Sequence, residues 1–587
     1  MQGYINFRPR SAFGSPLGML KTFSRAYVAP AILLVLTFWL VFVGFQTLQK
    51  VVAYYTPLPM WDYWRVVDHL TDYESFHWAV LWQQHNEHRI VFPEIAFALD
   101  MLLLHGRMVL PLILSALSYF GTWLLLASVL FSDASVPLTA RLVAALLSGI
   151  IALFESAAGV LAIPFLLQWT LMQLASAAAL ICASKLRDPQ SRKYLALTIA
   201  ACTLASYSSG NGLLLWPLVI AIAMLVGGRK RDVLVLSAAA ALVIGVYFIR
   251  YRFTGNVTLG TALTSPFYLA RYLASYLSMP FGGMRTPSFG VKLGGCLIAA
   301  IGALTVIAAR TRRLTSHPVA VLLAYVCFTV LTAILTAGGR MDVSDPTFAA
   351  ARAFRYLSVP QMNWAASVLL LFAVVSPLPK ARRSLPVLGT AAAVLLWIAL
   401  PKLSPWLGGV TSYLTEQQVA TLEVESGLRD SHWIGTKLYP DVAFVQGMLN
   451  RLKAHKLSIY YGGRTDYLGR SLASVTSVRP GERVPGQIVD ATPVESGVEV
   501  RGWADRSGRK LPAASLLFKD VSGKIVGFGR QFPAGFPPVL ASPDIPSSLA
   551  WVGFISKGMH ATLISAYVEA PNGKVVYPLG QPMPINP

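Results

Sequence analysis

Residues 27–48 read YVAPAILLVLTFWLVFVGFQTL, an apolar run without a single charged side chain. About 20 such residues cross the hydrocarbon core of a bilayer as one helix, so this stretch predicts a membrane span. The rest of the chain repeats the pattern, because hydrophobic residues make up 55% of its 587 residues and charged residues only 13%. Soluble domains carry about 25% charged residues. We therefore predict a polytopic α-helical membrane protein.

Basic residues indicate which side of this protein faces the cytoplasm. The net charge is +22, and much of the basic excess lies in short loops between apolar runs, which is typical of the cytoplasmic side. The charge therefore predicts topology, and nucleic acid is not predicted as a partner. The basic residues of these loops are Arg8, Arg10, Lys21, Arg25, Lys185, Arg187, Arg192, Lys193, Arg229, Lys230, Arg231, Arg310, Arg312, Arg313, Lys380, Arg382 and Arg383.

The apolar stretch 91–104 decides the topology. It contains Glu94 and Asp100, and if it crossed the membrane, all later basic loops would face outward. We therefore predict that it lies at the interface or re-enters the membrane, which leaves about eleven spans, a cytoplasmic N-terminus and an exported C-terminus. The predicted spans are 27–48, 108–131, 141–158, 163–185, 194–208, 211–228, 233–250, 291–309, 317–337, 359–377 and 385–402.

Composition divides the chain into three parts. Residues 1–402 form the predicted transmembrane domain, with 49–107 as its first exported loop. Residues 403–483 are predicted to form an exported α-rich connecting region, since 439–455 has apolar residues at helical spacing. Residues 484–587 alternate short apolar runs with Gly, Pro, Asp and Ser turns, which predicts an exported β-sandwich. All four cysteines lie in apolar runs, so no disulfide is predicted.

Residues 59–89 of the first exported loop read PMWDYWRVVDHLTDYESFHWAVLWQQHNEHR and concentrate charged and aromatic side chains. Two interpretations compete for this segment. Its tryptophans and charges suit an amphipathic loop at the membrane interface, and they also suit an active site beside the bilayer. The interfacial interpretation is favoured for Asp68, Asp72, Glu74 and His85.

The active-site interpretation is favoured for two short motifs in that loop, WDYW and NEHR. In WDYW, Asp62 follows the first span closely and is the candidate general base, between aromatic side chains that can stack on sugar rings. For Glu155 of ALFESAAG the alternative is a structural ion pair, and for Asn211 of SSGNG it is a tight turn. The candidate substrate-binding residues are Trp61, Trp64, Arg65, Asn86, Glu87, His88, Arg89, Glu155 and Asn211.

This layout resembles the GT-C superfamily of integral-membrane glycosyltransferases, in which the first exported loop carries a key acidic residue soon after the first helix. WDYW followed by NEHR is similar to bacterial members of O-antigen or cell-envelope type, and SSGNG at 208–212 and RAFRY at 352–356 add to the likeness. The resemblance implies that 1–402 is catalytic, in a bacterial inner membrane, with a polyprenyl-phosphate-linked sugar as donor. The acceptor is a glycan, a lipid or a protein, and inversion at the anomeric carbon is expected.

Such a reaction needs cations for the leaving phosphate, and arginines suit phosphate oxygens because their guanidinium groups are planar. Arg340, Arg352 and Arg355 lie in one short exported segment with Tyr356, so we predict that these four residues bind the phosphate. No cofactor is predicted. The loop histidines and acids leave a divalent cation open, although no HExxH-like metal spacing occurs.

Two other classes of protein remain as alternatives. A transporter or flippase of lipid-linked glycans predicts inverted repeats, helix breaks near the midplane and charges deep inside spans. If the protein is instead a non-catalytic polysaccharide-assembly or sensor protein, the C-terminal β-domain is expected to carry its function. Apart from the basic cytoplasmic loops, charge in this chain concentrates at the exported rim of the predicted spans, which favours the enzyme.

Overall fold

The computed structural model of the protein describes residues 16–253, 264–281, 286–378, 407–479, 481–505, 515–532 and 549–585, with single positions at 260 and 389; within it, 16–29 and 407–411 are described by their backbone. Six of its helical segments are long and apolar enough to cross a membrane, by length and composition. These helices support the predicted membrane-spanning character. The six segments are Pro30–Tyr54, Val109–Phe131, Pro164–Ala183, Pro287–Arg310, His317–Arg340 and Phe354–Val375.

Fifteen α-helices make up the described part of the chain before residue 378. Short 3-10 turns connect several of them, and two of these turns, Trp61–Tyr63 and Gly210–Leu214, carry candidate site residues. The helices are α1 Pro16–Tyr54, α2 Trp64–Asp68, α3 Leu70–Glu74, α4 Val91–Leu103, α5 Val109–Phe131, α6 Leu138–Ala152, α7 Ala157–Leu161, α8 Leu167–Ala183, α9 Ser191–Ser206, α10 Leu215–Leu225, α11 Lys230–Tyr247, α12 Pro266–Ser278, α13 Pro287–Arg310, α14 His317–Arg340 and α15 Ser358–Val375.

Helices lie at the described predicted spans, but several are shorter than a bilayer requires. Helices α6, α9 and α10 have 15, 16 and 11 residues, whereas a span needs about 20. The predicted span 385–402 lies outside the described residues apart from position 389. The total of eleven spans therefore stays a prediction, and length and composition support six.

The stretch 91–104 forms helix α4, which is too short to cross a membrane. Its 13 residues extend about 20 Å, against about 30 Å of hydrocarbon. Both of its acids have partners inside the protein. Asp100 accepts a hydrogen bond of 2.6 Å from the amide of Met108, and Glu94 lies 2.9 Å from Nδ1 of His69. These contacts agree with the interfacial position that the basic loops predict.

Helices α12 and α13 approach each other closely where Gly294 faces Ala274. A Cβ atom at position 294 would lie 1.8 Å from the Ala274 carbonyl oxygen, so any side chain there must push the two helices apart. We expect Gly294→Ala to cost about 1–3 kcal/mol of stability and to lower the thermal unfolding midpoint of the solubilised protein. Gly295→Ala is the matched control, because a Cβ there meets nothing within 4 Å. Equal losses in the two variants would contradict this packing.

The C-terminal part of the chain forms one eight-stranded sheet in the order β1-β8-β7-β4-β5-β6-β3-β2. Only the short pair β1–β8 is parallel, and the other neighbours are antiparallel. The strands are β1 Ser477–Val478, β2 Gly486–Val494, β3 Gly497–Ala504, β4 Ser515–Lys519, β5 Ile525–Gln531, β6 Ala550–Ser556, β7 Leu563–Glu569 and β8 Val575–Pro584.

The C-terminal domain contains this single sheet, whereas the sequence predicts a two-sheet sandwich. Val484, just before β2, donates its amide to the Pro578 carbonyl of β8 at 3.1 Å, so the sheet curls until its ends meet. One face buries Phe518 and Trp551 inside the curl. The other face packs on a helix of the connecting region through side chains such as Phe528. Among the described residues the second layer of the domain is therefore helical, and the sandwich is not found.

The connecting region joins the sheet to the membrane part. Its helices are α16 Leu407–Glu425, α17 Ser431–Trp433, α18 Val442–Ala454 and α19 Leu472–Val475. In α16, the hydroxyl of Thr421 bonds that of Thr56 at 2.9 Å, and Leu422 packs against the sheet. In α18, Arg451 donates to the Asp68 carbonyl at 2.6 Å. The connecting region therefore packs against the loop 49–107, which carries the candidate site.

Candidate functional site

Asp62 lies in the 3-10 turn Trp61–Tyr63, a few residues after α1 ends. Tyr63 and Trp64 on its C-terminal side are fully buried and anchor the turn. Trp61 on its other side has a φ of +47°, and its indole nitrogen donates to the hydroxyl of Tyr413. Between these anchors the Asp62 side chain remains 43% exposed. The tryptophans of WDYW thus hold the turn, while the carboxylate stays accessible.

A tight turn brings the NEHR motif to Asp62. His85 and His88 exchange backbone hydrogen bonds of 2.8 Å in both directions, and Asn86 between them has a φ of +48°. His85 faces the candidate base, with Nε2 3.5 Å from Oδ2 of Asp62, and its side chain is only 7% exposed. The sequence favours the interfacial interpretation for His85, because nothing local distinguishes it from the other three histidines of the segment 59–89.

The charges around Asp62 favour its ionised form. Burial opposes ionisation, but the hydrogen bond and charge of His85, together with the charges of Arg355 and Arg340, outweigh burial and lower the pKa of the Asp62 carboxyl below its ordinary value. Asp62 is therefore a carboxylate at neutral pH, as a general base must be. The same interactions bring two of the predicted phosphate-binding arginines within electrostatic range of Asp62.

Arg340 ends helix α14 and forms an ion pair with Glu87. Its Nη2 donates to both carboxylate oxygens of Glu87, at 3.0 and 3.1 Å. The Glu87 backbone carbonyl accepts hydrogen bonds from the hydroxyls of Tyr251 at 3.0 Å and Tyr247 at 3.4 Å. Both charged side chains remain 32% exposed. A phosphate can therefore reach this guanidinium and compete with Glu87 for it.

The motif SSGNG meets the motif NEHR at His88. The amide of Gly210 donates to Nδ1 of His88 at 3.2 Å, and the Trp169 ring lies edge-on to the imidazole, with centroids 6.3 Å apart. Burial lowers the pKa of His88 to about 4, so the ring is neutral at physiological pH. Asn211 follows Gly210 in the 3-10 turn Gly210–Leu214 and is buried.

A cavity of about 400 Å³ lies where these two motifs meet the end of α14. Polar and charged side chains line one part of it and apolar side chains another, which suits an amphiphile with a charged head. Asp62 does not line the cavity. The positive charge of Arg340, which does line it, and that of Arg355 both act on the Asp62 carboxyl. The polar lining side chains include Glu87, His88, Asn211, Arg340 and Tyr356, and the apolar ones include Leu213, Leu214, Phe248, Phe253 and Leu335.

Arg89 holds the loop in place rather than facing the cavity. Its guanidinium donates to the backbone carbonyls of Trp82, Tyr247 and Ile249, and the residue is buried. The guanidinium carbon also lies 4.9 Å from the ring centre of Trp82. These contacts give Arg89 a positioning role between the loop 49–107 and the segment that follows α11.

The other predicted site residues are described by the partners that they contact. Glu155 forms an ion pair with Lys50 of α1, which is the structural alternative left open for it. Arg352 interacts electrostatically with Asp345. The Arg355 guanidinium carbon lies 5.1 Å from the ring centre of Tyr356. The structure thus brings Arg340, Arg355 and Tyr356 of the predicted phosphate site together with the loop 49–107.

Within the described ranges, no group of three His, Cys, Asp or Glu side chains is arranged to hold a metal ion. Metal use therefore stays open, as it is in the sequence. The candidate site is defined by the geometry of the loop 49–107, the end of α14 and the Gly210–Leu214 turn. No protein-family model, no curated protein and no solved structure matches the chain.

Proposed function

We propose that the protein transfers a sugar from a polyprenyl-phosphate donor to an acceptor hydroxyl at the outer face of a bacterial inner membrane, with Asp62 as the general base. The observation that carries the proposal is the cavity with the Arg340–Glu87 pair at one end and apolar walls beside it. A polyprenyl phosphate has the same division, because a charged head joins a long hydrocarbon chain. The membrane-capable helices suit a bilayer environment, and such a lipid is dissolved in the bilayer.

In the proposed reaction, the acceptor oxygen bonds to the anomeric carbon as the bond from that carbon to the phosphate oxygen breaks. The acceptor proton passes to the Asp62 carboxylate, and the bonding electron pair leaves with the polyprenyl phosphate. Positive charge develops on the sugar in the transition state. An ionised Asp62 serves both needs, because it accepts the proton and stabilises the cationic centre.

Arg340 supplies the charge that the leaving phosphate needs. Its planar guanidinium already binds a carboxylate through one nitrogen, and phosphate oxygens suit the same donors. In the proposed complex the phosphate displaces Glu87, and Arg355 adds a second positive charge close to Asp62. The sugar then extends from the phosphate toward Asp62 and His85.

The direct test uses the full chain in lipid nanodiscs with radiolabelled sugars on a short polyprenyl phosphate. We expect release of free polyprenyl phosphate together with a new glycosidic bond on an acceptor present in a bacterial envelope extract. If the protein does not turn over the donor but moves it across the membrane of reconstituted vesicles, it is a transporter instead. Arg340→Gln serves as the negative control, since it removes the proposed phosphate partner.

A further inference from the structure

A second cleft, of about 700 Å³, borders the same turn of the exported loop. Asn86 lines this cleft, whereas its neighbours Glu87 and His88 line the cavity described above. The two spaces therefore share a wall but have different chemistry. The cleft is lined by Arg65, Ala79, Trp82, Gln83, Gln84, Asn86, Arg89, Arg250 and Arg252.

The lining of this cleft is strongly basic. It includes four arginines and three side-chain amides and, among the described residues, no carboxylate. The Arg340 cavity differs in this respect, because Glu87 neutralises its guanidinium. Arg65 is oriented by a hydrogen bond of 3.2 Å to Oε1 of Gln83, and Arg250 and Arg252 are exposed. The Arg89 guanidinium donates to backbone carbonyls, so Arg65, Arg250 and Arg252 are the arginines of this lining that can attract a phosphate-type anion.

The cleft is also held in shape. The amide nitrogen of Gln84 donates to the carbonyls of Asn86 at 2.6 Å and Arg252 at 2.7 Å, and its oxygen accepts from the Arg252 amide at 2.9 Å. One side chain thus ties the segment after α11 to the turn of the exported loop. A binding site whose backbone is already ordered loses less entropy when the ligand binds.

Apolar side chains flank the basic ones along the chain. Phe248 and Ile249 precede Arg250, and Phe253 follows Arg252; all three are exposed, Phe253 by 78%. They continue directly from α11, an apolar helix that reaches the exported end of the membrane part. An anion in the cleft would therefore have hydrocarbon-compatible surface beside it, which a lipid uses and a free anion does not.

We propose that this cleft binds the phosphate or pyrophosphate headgroup of a membrane lipid, with its hydrocarbon along the exposed Ile249, since Phe248 and Phe253 also line the Arg340 cavity. The inference does not rest on the transferase proposal, because it uses a different cleft and different arginines. Its ligand is a second lipid, separate from a donor bound at Arg340. Binding alone tests it, so a failed transfer assay leaves it standing and a failed binding assay leaves the transferase standing.

The experiment measures binding to the purified full chain by equilibrium dialysis with three probes: dihexanoyl phosphatidic acid, dihexanoyl phosphatidylcholine and inorganic pyrophosphate. We expect saturable binding of phosphatidic acid at least tenfold tighter than of the other two probes. Arg250→Gln/Arg252→Gln is expected to weaken it by about 10–100-fold, and added salt is expected to weaken it more in the wild type than in this variant. Arg271→Gln, at another exposed arginine, should bind like the wild type.

Two results would overturn the proposal. Phosphatidic acid binding that is unchanged in the double variant would place the anion elsewhere. Pyrophosphate binding as tight as that of phosphatidic acid would assign the cleft to a soluble anion instead of a lipid. The thermal unfolding midpoint without ligand is the folding control, and Arg252→Gln alone replaces the double variant if that midpoint falls.

Discussion

Asparagine at position 62 is expected to slow sugar transfer by about 10²–10⁴-fold while donor binding stays near the wild-type value. The amide is almost the size of the carboxylate, but it neither accepts the acceptor proton nor carries the negative charge that stabilises the sugar cation. The loss should therefore appear in kcat, with little change in the KM for the donor. Initial rates with radiolabelled donor, measured over a range of donor concentrations, give both constants.

Asp72→Asn is the matched control for this variant. Asp72 lies in the same loop, 49–107, and its side chain is 43% exposed, as is that of Asp62. Its nearest cationic partner is His77, at 4.0 Å, so its replacement removes one exposed carboxylate without touching the Asp62 site. We expect wild-type transfer from this control. Similar losses in both variants, or full activity of Asp62→Asn, would exclude Asp62 as the base.

The pH dependence of transfer tests the pair formed by Asp62 and His85. A general base must be ionised, so the rate should fall as the pH drops through the pKa of Asp62. Because His85 and the two arginines lower that pKa, the wild-type rate should hold well into the acidic range. His85→Ala removes one of these influences and should move the acid limb of the profile to higher pH. A merely structural role for His85 would reduce activity without moving that limb.

Hydropathy predicts the long apolar helices of the membrane part, because lipid imposes one simple requirement on every span, and length and composition support six of the predicted spans. The stretch 91–104 shows this most clearly, since the later basic loops predict that it does not cross, and α4 has only 13 residues. The β-domain shows the limit of such patterns. Strand β3 alternates polar and apolar residues, but Glu499 is buried against Arg501, with Oε1 2.6 Å from Nε. The alternation of polar and apolar residues predicts strands, but it does not predict whether a second sheet or a helix covers the other face of the sheet.

The candidate site depends on contacts that no local pattern reveals. Glu87 and Arg340 are 253 residues apart in sequence, and nothing near either residue predicts that they pair. His85 resembles the other loop histidines until the turn that it forms with His88 directs it toward Asp62. The sequence predicts Arg340 as a phosphate ligand and Arg89 as a substrate-binding residue, but only the packing shows that Arg340 lies at the cavity whereas Arg89 bonds backbone carbonyls.

Replacing Arg340 by glutamine is expected to raise the KM for the donor by about 10–100-fold, since a hydrogen bond to a charged group contributes about 1.5–3 kcal/mol. The donor KM of Arg340→Lys should fall between those of the wild type and Arg340→Gln, because an ammonium group keeps the charge but lacks the planar pair of donors. The exposed Arg271, replaced by glutamine, is the control for a general loss of positive charge. Donor KM values from initial rates decide among these variants.

Glu87→Gln distinguishes the two acids of the site. If Glu87 only holds Arg340, its removal frees the guanidinium, so the donor should bind at least as tightly as before and kcat should stay within a few fold. Adding Glu87→Gln to Arg340→Gln should then recover little donor affinity, because the phosphate partner is already absent. If instead Glu87→Gln alone lowers kcat as far as Asp62→Asn does, the base lies inside the cavity at Glu87, and Asp62 loses that role.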